Sequence, residues 1–445
     1  MRAGSTRKWG LARFSLRPDA VATDTIFALS SGRPPAAIAV IRISGPQAHR
    51  AARLLAGELP GHRAAALREL SDPASGERLD EALVLRFDGP ASSTGEDVVE
   101  FHCHGGRAVI DAVTGGLSRV SGLREAQPGE FTRRAFDNGC IDLTEAEGLA
   151  DLIEAETEAQ RRAALRLAEG GLKRQIATWL DQLLGLSARA ERAIDYAGED
   201  EDGLDPGIAR DSRELADELG RWLERPRAEP LKEGVRVVVA GPPNAGKSSL
   251  INSIADYDRI IVSEIEGTTR DIIEVPLALS GLPFVFTDTA GLRETDDQVE
   301  AIGVGLAAAE VERADILLWL GDPALAPDHP RRILVHAKAD VSGPPPNGSV
   351  PVSCVTRAGL PDLLDAVLVM ARQILPGEDA IALNRRQAAE IGEARLALDD
   401  AAGSERPEIQ AECLRRARQA FDRMTGRAGI EDVLDALFGR FCLGK

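Results

Sequence analysis

The stretch from Val235 to Leu250, which reads VRVVVAGPPNAGKSSL, constrains the fold more than any other part of this chain. Its first residues are apolar and mostly β-branched, a pattern that predicts a buried strand of a parallel sheet. A Gly-x-x-x-x-Gly-Lys-Ser run follows directly and continues into helix-compatible sequence. In such a unit, backbone N–H groups, the lysine and the positive end of the helix surround phosphates, and the serine hydroxyl can bind Mg²⁺. We therefore predict a nucleotide-binding domain whose phosphate-binding residues are Asn244, Ala245, Gly246, Lys247, Ser248 and Ser249.

Two more motifs follow this loop in the order that a nucleoside triphosphatase requires. The polar segment GTTRD contains Thr268 and Thr269, where a switch threonine would reach Mg²⁺ and the terminal phosphate. The segment DTAG comes directly after a predicted strand, so the Asp288 carboxylate can hold the water shell of Mg²⁺ and the Gly291 N–H can contact the γ-phosphate. Together the motifs predict a nucleoside triphosphatase.

The residue after DTAG bears on how water is activated. Ras-like enzymes place a water-orienting glutamine there, whereas this chain has Leu292. Because a leucine cannot orient water, hydrolysis needs another group. The spacing alone does not choose among the nearby carboxylates, which are Glu294, Asp296, Asp297 and Glu300.

The segment that reads the base is Ala-Lys-Ala-Asp, where GTPases carry Asn-Lys-x-Asp. Asp340 can accept two hydrogen bonds from the guanine edge, which adenine cannot supply, and Lys338 keeps its usual place. Ala337 removes the amide, which is expected to weaken nucleotide binding by roughly 1–3 kcal/mol. We therefore predict that guanine is still preferred.

The patterns along the chain predict an α/β plus α multidomain protein. Short strands and helices alternate over residues 24–142, helical periodicity dominates 143–233 and 376–445, and 234–375 has the pattern of a doubly wound, mainly parallel Ras-like sheet. This order predicts a nucleotide-binding domain inserted into a helical domain whose halves pack together across the insertion. The basic residues 1–23 are expected to be a disordered extension or an over-called start, with a mitochondrial transit peptide as the alternative.

Two local signals place helix ends in the first helical half. Thr144 with Glu147 three residues later predicts a capping box at the start of a helix. Gly170-Gly171 predicts a turn between two long helices.

Composition limits the possible partners and locations. The net charge of −18, with 71 acidic and 53 basic residues, argues against a chain that grips nucleic acid over its whole surface. No apolar run approaches the roughly 18 residues needed to span a bilayer, so no membrane partner is expected. Five widely spaced cysteines predict reduced thiols and a cytoplasmic location.

The order of the motifs resembles one family from Asp24 to Lys445. Asn244 inside the phosphate loop, GTTRD, DTAGLRET and the terminal FCLGK are joined by N-terminal segments similar to RISGP, TGEDVVE, HGG and PGEFTRRAF. In this order they resemble the tRNA-modification GTPase family called MnmE or TrmE.

The resemblance implies a specific activity. The family hydrolyses GTP and, with the FAD-containing partner MnmG, adds a carboxymethylaminomethyl-type group to carbon 5 of the wobble uridine, position 34 of certain tRNAs. The one-carbon donor is a 5-formyl- or 5,10-methylene-tetrahydrofolate bound in the N-terminal domain, which also dimerises. The GTPase domains pair across the homodimer with K⁺ near the nucleotide.

The resemblance also implies roles for individual residues. Asn244 would bind K⁺, Ser248 and Thr269 would bind Mg²⁺, and Glu300 would orient the attacking water. Folate contacts would come from Arg42, Glu100 and Lys445. Cys442 would serve tRNA modification but not hydrolysis, and its alternative reading is a small buried residue beside Phe441.

The sequence departs from the family pattern at three places, and two alternative functions are consistent with it. Cys140 stands where the family has a folate-contacting lysine, the segment 353–355 lacks the usual Ser-Ala-Lys, and Ala337 replaces the asparagine. The alternatives are a regulatory GTPase in ribosome assembly and a folate-binding scaffold whose nucleotide site has lost its function.

Overall fold

The computed structural model of the protein describes residues 24–195, 205–257, 273–288, 309–428, 431–441 and 444. The chain divides into two compact units, one of residues 1–146 with 429–445 and one of residues 147–428. The first unit is mixed α/β, and the second combines helices with another mixed sheet, which confirms the predicted fold class. The finer domain boundaries remain a prediction, and the predicted extension 1–23 lies outside the described residues.

The sheet of the first unit has six strands in the order β3-β4-β5-β2-β1-β6. All neighbouring strands are antiparallel except β1 and β6, which are parallel. The strands are β1 (Thr25–Leu29), β2 (Ile38–Ser44), β3 (Ala65–Ser71), β4 (Arg78–Phe87), β5 (Val98–His104) and β6 (Leu123–Glu125).

Helices cover the two faces of this sheet unequally. Helices α1 (Ala48–Ala56) and α2 (Arg107–Ser118) contribute to a core with the fully buried Phe27, Ile41 and Phe101. On the opposite face, Phe131 of α3 (Glu130–Asp137) joins Ile26 and Ala28 of β1 in a smaller buried cluster. The C-terminal helix Glu431–Phe438 packs on α3, where the ring centroids of Phe136 and Phe438 lie 6.2 Å apart.

The start of α4 (Leu143–Glu154) differs from the predicted capping box. The Asp142 carboxylate accepts a hydrogen bond from the Glu145 N–H at 2.9 Å, and the Glu145 carboxylate accepts one from the Asp142 N–H at 2.8 Å. The predicted pair of Thr144 and Glu147 is therefore wrong. Aspartate caps a helix at least as well as threonine, and Thr144 is buried within the first turn, where it donates to Asp142.

The helices of the second unit lie before, within and after the stretch of sequence that forms its sheet. They are α5 (Glu158–Ala168), α6 (Gly171–Asp195), α7 (Pro206–Leu223), α8 (Glu229–Glu233), α9 (Lys247–Tyr257), α10 (Leu360–Ile374), α11 (Arg385–Ala402) and α12 (Pro407–Thr425). Helix α5 ends and α6 begins at the predicted Gly170-Gly171 turn.

The helices before and after the sheet share one core. The indole of Trp179 on α6 is fully buried, meets Trp222 of α7 edge to face at 5.3 Å and stacks on Phe421 of α12 at 5.7 Å. Glu147, the residue wrongly assigned to the cap, instead accepts hydrogen bonds from Arg386 and Gln387 of α11. In sequence, the residues that form the sheet are therefore inserted between the two helical segments that share this core.

The sheet of the second unit has the order β12-β11-β10-β7-β9-β8, and all neighbours are parallel except β8 and β9. Its strands are β7 (Val235–Ala240), β8 (Ile273–Leu279), β9 (Leu282–Asp288), β10 (Ile316–Trp319), β11 (Arg332–Ala337) and β12 (Ser349–Val352). From β7 the chain first builds strands on one side and then on the other. The carboxyl end of β7 is therefore the switch point at which such sheets bind ligands.

In the parts of the chain that the structure describes, no helix combines the length and apolar character needed to cross a membrane.

Candidate functional site

The loop from β7 to α9 is shaped for close approach of a ligand to its backbone. Gly241 has a φ of +152°, and a Cβ there would lie 2.6 Å from the carbonyl oxygen of Leu320, so only glycine fits. Gly246, at the other end of the loop, has a φ of +98° and open space where a Cβ would be. At these two glycines no side chain blocks access to the backbone N–H groups of the loop, as a phosphate site requires.

Lys247 begins α9 and turns back over this loop. Its side chain is buried, and its Nζ donates hydrogen bonds to the carbonyl oxygens of Gly241 at 3.1 Å and Pro242 at 3.0 Å. The ammonium group thus lies at the switch point, beside the positive end of α9. Both features attract a polyanion to the same place.

The structure brings together two of the predicted Mg²⁺-site residues. Ser248 on α9 donates its hydroxyl hydrogen bond to the carboxylate of Asp288, which lies at the end of β9 and is 4% exposed. A hydroxyl and a carboxylate oxygen are the hard donors that Mg²⁺ prefers. The pair therefore fits the metal that the sequence predicts.

The segment after β11 contacts the phosphate loop. Lys338 adopts a φ of +57°, and its Nζ donates to the carbonyl oxygen of Asn244 at 3.0 Å. Asp340 is exposed, as a residue that reads a base must be, and the neighbouring N–H of Ala339 donates to Val352 on β12 at 3.1 Å. The segments predicted to read the base and to bind the phosphates therefore meet at one edge of the sheet.

A second candidate site lies on the first unit. Arg42 of β2 and Glu100 of β5 are paired across the sheet, with the Arg42 Nε 2.9 Å from a Glu100 oxygen. The guanidinium group also lies over the ring of Phe131, 5.6 Å from its centroid. The structure thus joins two of the four predicted folate residues on the face that α1 and α2 leave open.

Gly444, close to the C-terminus, lies beside the end of β1. A Cβ at Gly444 would fall 2.1 Å from the carbonyl oxygen of Leu29, so the backbone there touches the end of β1. The adjacent Ser30 has a buried hydroxyl without a hydrogen-bond partner among the described residues, while its N–H donates to the carbonyl oxygen of Val40 on β2. An unsatisfied hydroxyl near a tight backbone approach fits a site for a polar ligand.

Comparison with known proteins identifies the family. Residues 25–140 match the family described as GTP-binding protein TrmE N-terminus, and residues 143–442 match the MnmE helical domain. The tRNA modification GTPase MnmE of Novosphingobium aromaticivorans is 51% identical over 436 residues, covering 95% of this chain and 100% of that protein. The chain belongs to the MnmE family. The MnmE proteins of Erythrobacter litoralis (52% identical over 424 residues) and Rhizorhabdus wittichii (51% over 432 residues) cover 95% and 96% of the chain, and 100% and 98% of their own lengths.

Membership in MnmE makes this chain a GTPase, and the phosphate loop with its Ser248–Asp288 pair is its candidate nucleotide site. Several residues predicted for its function lie outside the described residues. They are Thr268, Thr269, Gly291, Leu292, Glu294, Asp296, Asp297, Glu300, Cys442 and Lys445. Their assigned roles stay predictions.

Cys140, the remaining predicted folate residue, is exposed just after α3. A Cβ at Gly95, in the TGEDVVE segment, would lie 3.0 Å from its sulfur atom, and Asn138 donates to the carbonyl oxygen of Thr94 at 2.7 Å. Cys140 is thus fixed against the TGEDVVE segment.

Sequence reasoning missed the residue that connects the N-terminal motifs of this MnmE chain. Arg134 is 5% exposed and contacts the carboxylates of Asp24, Glu96 and Glu130 at 2.9–3.2 Å. Glu96 also accepts a hydrogen bond from Ser44 at 2.7 Å. The segments RISGP, TGEDVVE and PGEFTRRAF therefore meet through one buried guanidinium group. In the sequence, only the two adjacent arginines of FTRRAF pointed to such a contact.

Proposed function

We propose that this MnmE-family protein hydrolyses GTP to drive modification of the wobble uridine of tRNA at carbon 5. In this proposal it works as a cytoplasmic homodimer with the FAD-containing partner MnmG and uses a tetrahydrofolate one-carbon donor. The observation that carries the nucleotide part is the contact of Ser248 with Asp288 beside the buried Lys247. Family membership over 95% of the chain supports the tRNA part.

The residues of the phosphate loop define how GTP would be held. Backbone N–H groups and Lys247 bind the phosphates, Ser248 and Thr269 hold Mg²⁺, and Asp288 holds its water shell. Mg²⁺ held by these residues would offset the negative charge that develops on the phosphates during cleavage. Because Leu292 cannot orient water, we assign that role to Glu300.

A monovalent cation would complete this site. Asn244 stands in the loop at a φ of +60°, with its carbonyl oxygen held by Lys338 and its side chain exposed. K⁺ beside the phosphates would offset developing negative charge, as an arginine finger does. We expect GTP hydrolysis to be at least about tenfold faster in K⁺ than in Na⁺, and Asn244→Ala to abolish that difference. Phosphate release in the two salts measures it, and equal wild-type rates would contradict the K⁺ site.

One substitution in the predicted base-reading segment is expected to strengthen GDP binding. Ala337→Asn restores the amide at the end of β11 and is expected to tighten GDP binding by about 1 kcal/mol, roughly fivefold. Calorimetric titration with GDP measures this change. Ala339→Asn places the same amide two residues further on in the same segment and should leave the affinity unchanged. If both variants bind like the wild type, the missing amide is not what limits affinity.

The first unit would hold the folate and the dimer contact. Arg42, Glu100, Cys140 and Lys445 are the residues that we assign to the folate. When bound, it supplies the one-carbon unit. On the same face, opposite α1 and α2, Ile38, Leu67 and Leu83 are 58%, 57% and 39% exposed, and we assign the homodimer contact to these apolar side chains.

A substitution at Cys442 is expected to affect tRNA modification without affecting GTP hydrolysis. Cys442→Ser should abolish wobble-uridine modification and leave GTP turnover intact, because the thiol is proposed to act on tRNA and not on the nucleotide. Mass spectrometry of tRNA nucleosides from a strain that carries only this variant measures the first effect. Cys413→Ala, at a buried position of α12, is the matched control and should keep modified tRNA.

The outcomes of this experiment are distinct. Wild-type levels of modified wobble uridine in the Cys442→Ser strain would contradict the role proposed for Cys442. Normal tRNA in a strain without the gene, together with co-sedimentation of the protein with ribosomal particles, would favour the ribosome-assembly alternative.

A further inference from the structure

Imidazole and carboxylate groups converge where α1 meets the segment between β4 and β5. His49 lies in the first turn of α1, Asp88 follows β4 and Asp97 precedes β5. One donor atom from each of these three residues lies within 4.8 Å of the other two. None of the three belongs to the candidate folate residues or to the nucleotide site.

The His49 ring lies between the two carboxylates. Its Nε2 is 3.4 Å from an Asp88 oxygen, and its Nδ1 is 3.3 Å from an Asp97 oxygen. The side chain is only 14% exposed, and its buried Nε2 has no hydrogen-bond partner among the described residues. A buried ring nitrogen without a partner has a lone pair or a hydrogen that the fold does not satisfy.

Neighbouring groups fix both carboxylates. Asp97 accepts a hydrogen bond from the Gly89 N–H at 3.0 Å, and Arg86 donates to both oxygens of Asp88 at 2.7 and 3.2 Å. His62 adds a second imidazole, whose Nδ1 accepts the Asp88 N–H at 2.9 Å. Ligands oriented by such outer hydrogen bonds are typical of metal sites.

We propose that His49, Asp88 and Asp97 bind a divalent transition-metal ion of the Zn²⁺ type. Zinc binds imidazole nitrogen and carboxylate oxygen at about 2.0–2.2 Å, which places two ligand atoms of a tetrahedral site roughly 3.3–3.5 Å apart. The separation of His49 Nε2 from Asp88 already has this value, and one ligand atom from each of the three residues lies within 4.8 Å of the other two. The imidazole ligand favours Zn²⁺ or Ni²⁺ over Mg²⁺ and Ca²⁺, which prefer all-oxygen sites.

The ion would tie α1 to the segment that leads into β5. That segment also contains Glu96, which contacts Arg134 and Ser44. Metal that binds only the folded unit stabilises it by mass action. The site is thus structural, and it is independent of GTP turnover and of the proposed tRNA reaction.

Zinc titration of the full-length, metal-free protein in excess Mg²⁺ tests the proposal, because Mg²⁺ blocks the nucleotide site. We expect the wild type to bind one more equivalent of Zn²⁺ than His49→Gln, and Asp97→Asn to bind that equivalent at least about tenfold more weakly. His104→Gln is the matched control, because His104 faces a single carboxylate, that of Asp80, at 2.8 Å. It should retain the wild-type stoichiometry.

Co²⁺ absorption and thermal unfolding distinguish this site from the cysteines. A Co²⁺ spectrum typical of nitrogen and oxygen ligands that disappears in His49→Gln supports the site. A rise in unfolding temperature with Zn²⁺ in the wild type and in His104→Gln, but not in His49→Gln, supports it as well. Equal Zn²⁺ stoichiometry in the wild type and in both folded variants would overturn the proposal and leave His49 as a structural contact of the two carboxylates. A thiolate spectrum unchanged by His49→Gln would overturn it as well. Near-ultraviolet circular dichroism checks that each variant is folded.

Discussion

Lys247→Ala is expected to weaken GTP binding by about 3 kcal/mol, roughly 100-fold. The Lys247 ammonium is buried over the phosphate loop and held by the carbonyl oxygens of Gly241 and Pro242. A triphosphate that enters this loop therefore meets a positive charge that is already in place. Without that charge, the phosphates face carbonyl oxygens and rely on backbone N–H groups alone.

Titration with a fluorescent GDP or GTP analogue measures the loss, and hydrolysis at saturating GTP should fall with it. Lys173→Ala removes a lysine from α6 and serves as the matched control, which should bind like the wild type. Near wild-type affinity in Lys247→Ala would mean that the triphosphate is bound elsewhere. The assignments of Ser248 and Asp288 to Mg²⁺ would then fail too.

The candidate nucleotide site is largely predictable from sequence because its parts are local. The strand, loop and helix around Gly241 and Lys247 are contiguous, and the order of the following motifs follows from the topology of a doubly wound sheet. The contact between Ser248 and Asp288 joins residues 40 positions apart, yet two strand ends at one sheet edge suffice to place them together. Ala337 and Lys338 fall at the end of β11 for the same reason.

The first unit is less predictable, because its contacts span long separations. Arg134 meets Asp24 across 110 positions and Glu96 across 38, and no helix or strand period marks that meeting. Arg42 and Glu100 come together only once the strand order of the sheet is known. At α4, the observed cap Asp142 stands two positions before the predicted Thr144 and is likewise followed by a glutamate three residues later, so local preference alone does not choose between them.

Arg134→Met is expected to lower the free energy of unfolding of the first unit by about 3–5 kcal/mol. The side chain of Arg134 is 6% exposed, and its guanidinium group meets three carboxylates, those of Asp24, Glu96 and Glu130. Methionine fills a similar volume but leaves these anions without their shared cation. Hydrogen exchange of peptides from β1, α3 and the segment before β5 should accelerate, because these are the elements that Arg134 connects.

The neighbouring arginine supplies the control, and pH supplies a second test. Arg133→Met removes a pair with Asp435 in which both side chains are partly exposed, so a loss below about 1 kcal/mol is expected.

Burial raises the pKa of Glu130, but hydrogen bonds from Arg124 and Arg134 outweigh it, and the pKa of Glu130 is lowered on balance, as is that of Asp24. The stability that these groups contribute is therefore present at neutral pH and lost as the pH falls through their lowered values. Arg134→Met should be less sensitive to acid than the wild type. Equal losses for the two arginine variants, with equal acid sensitivity, would show that the buried cluster does not hold the three motifs together.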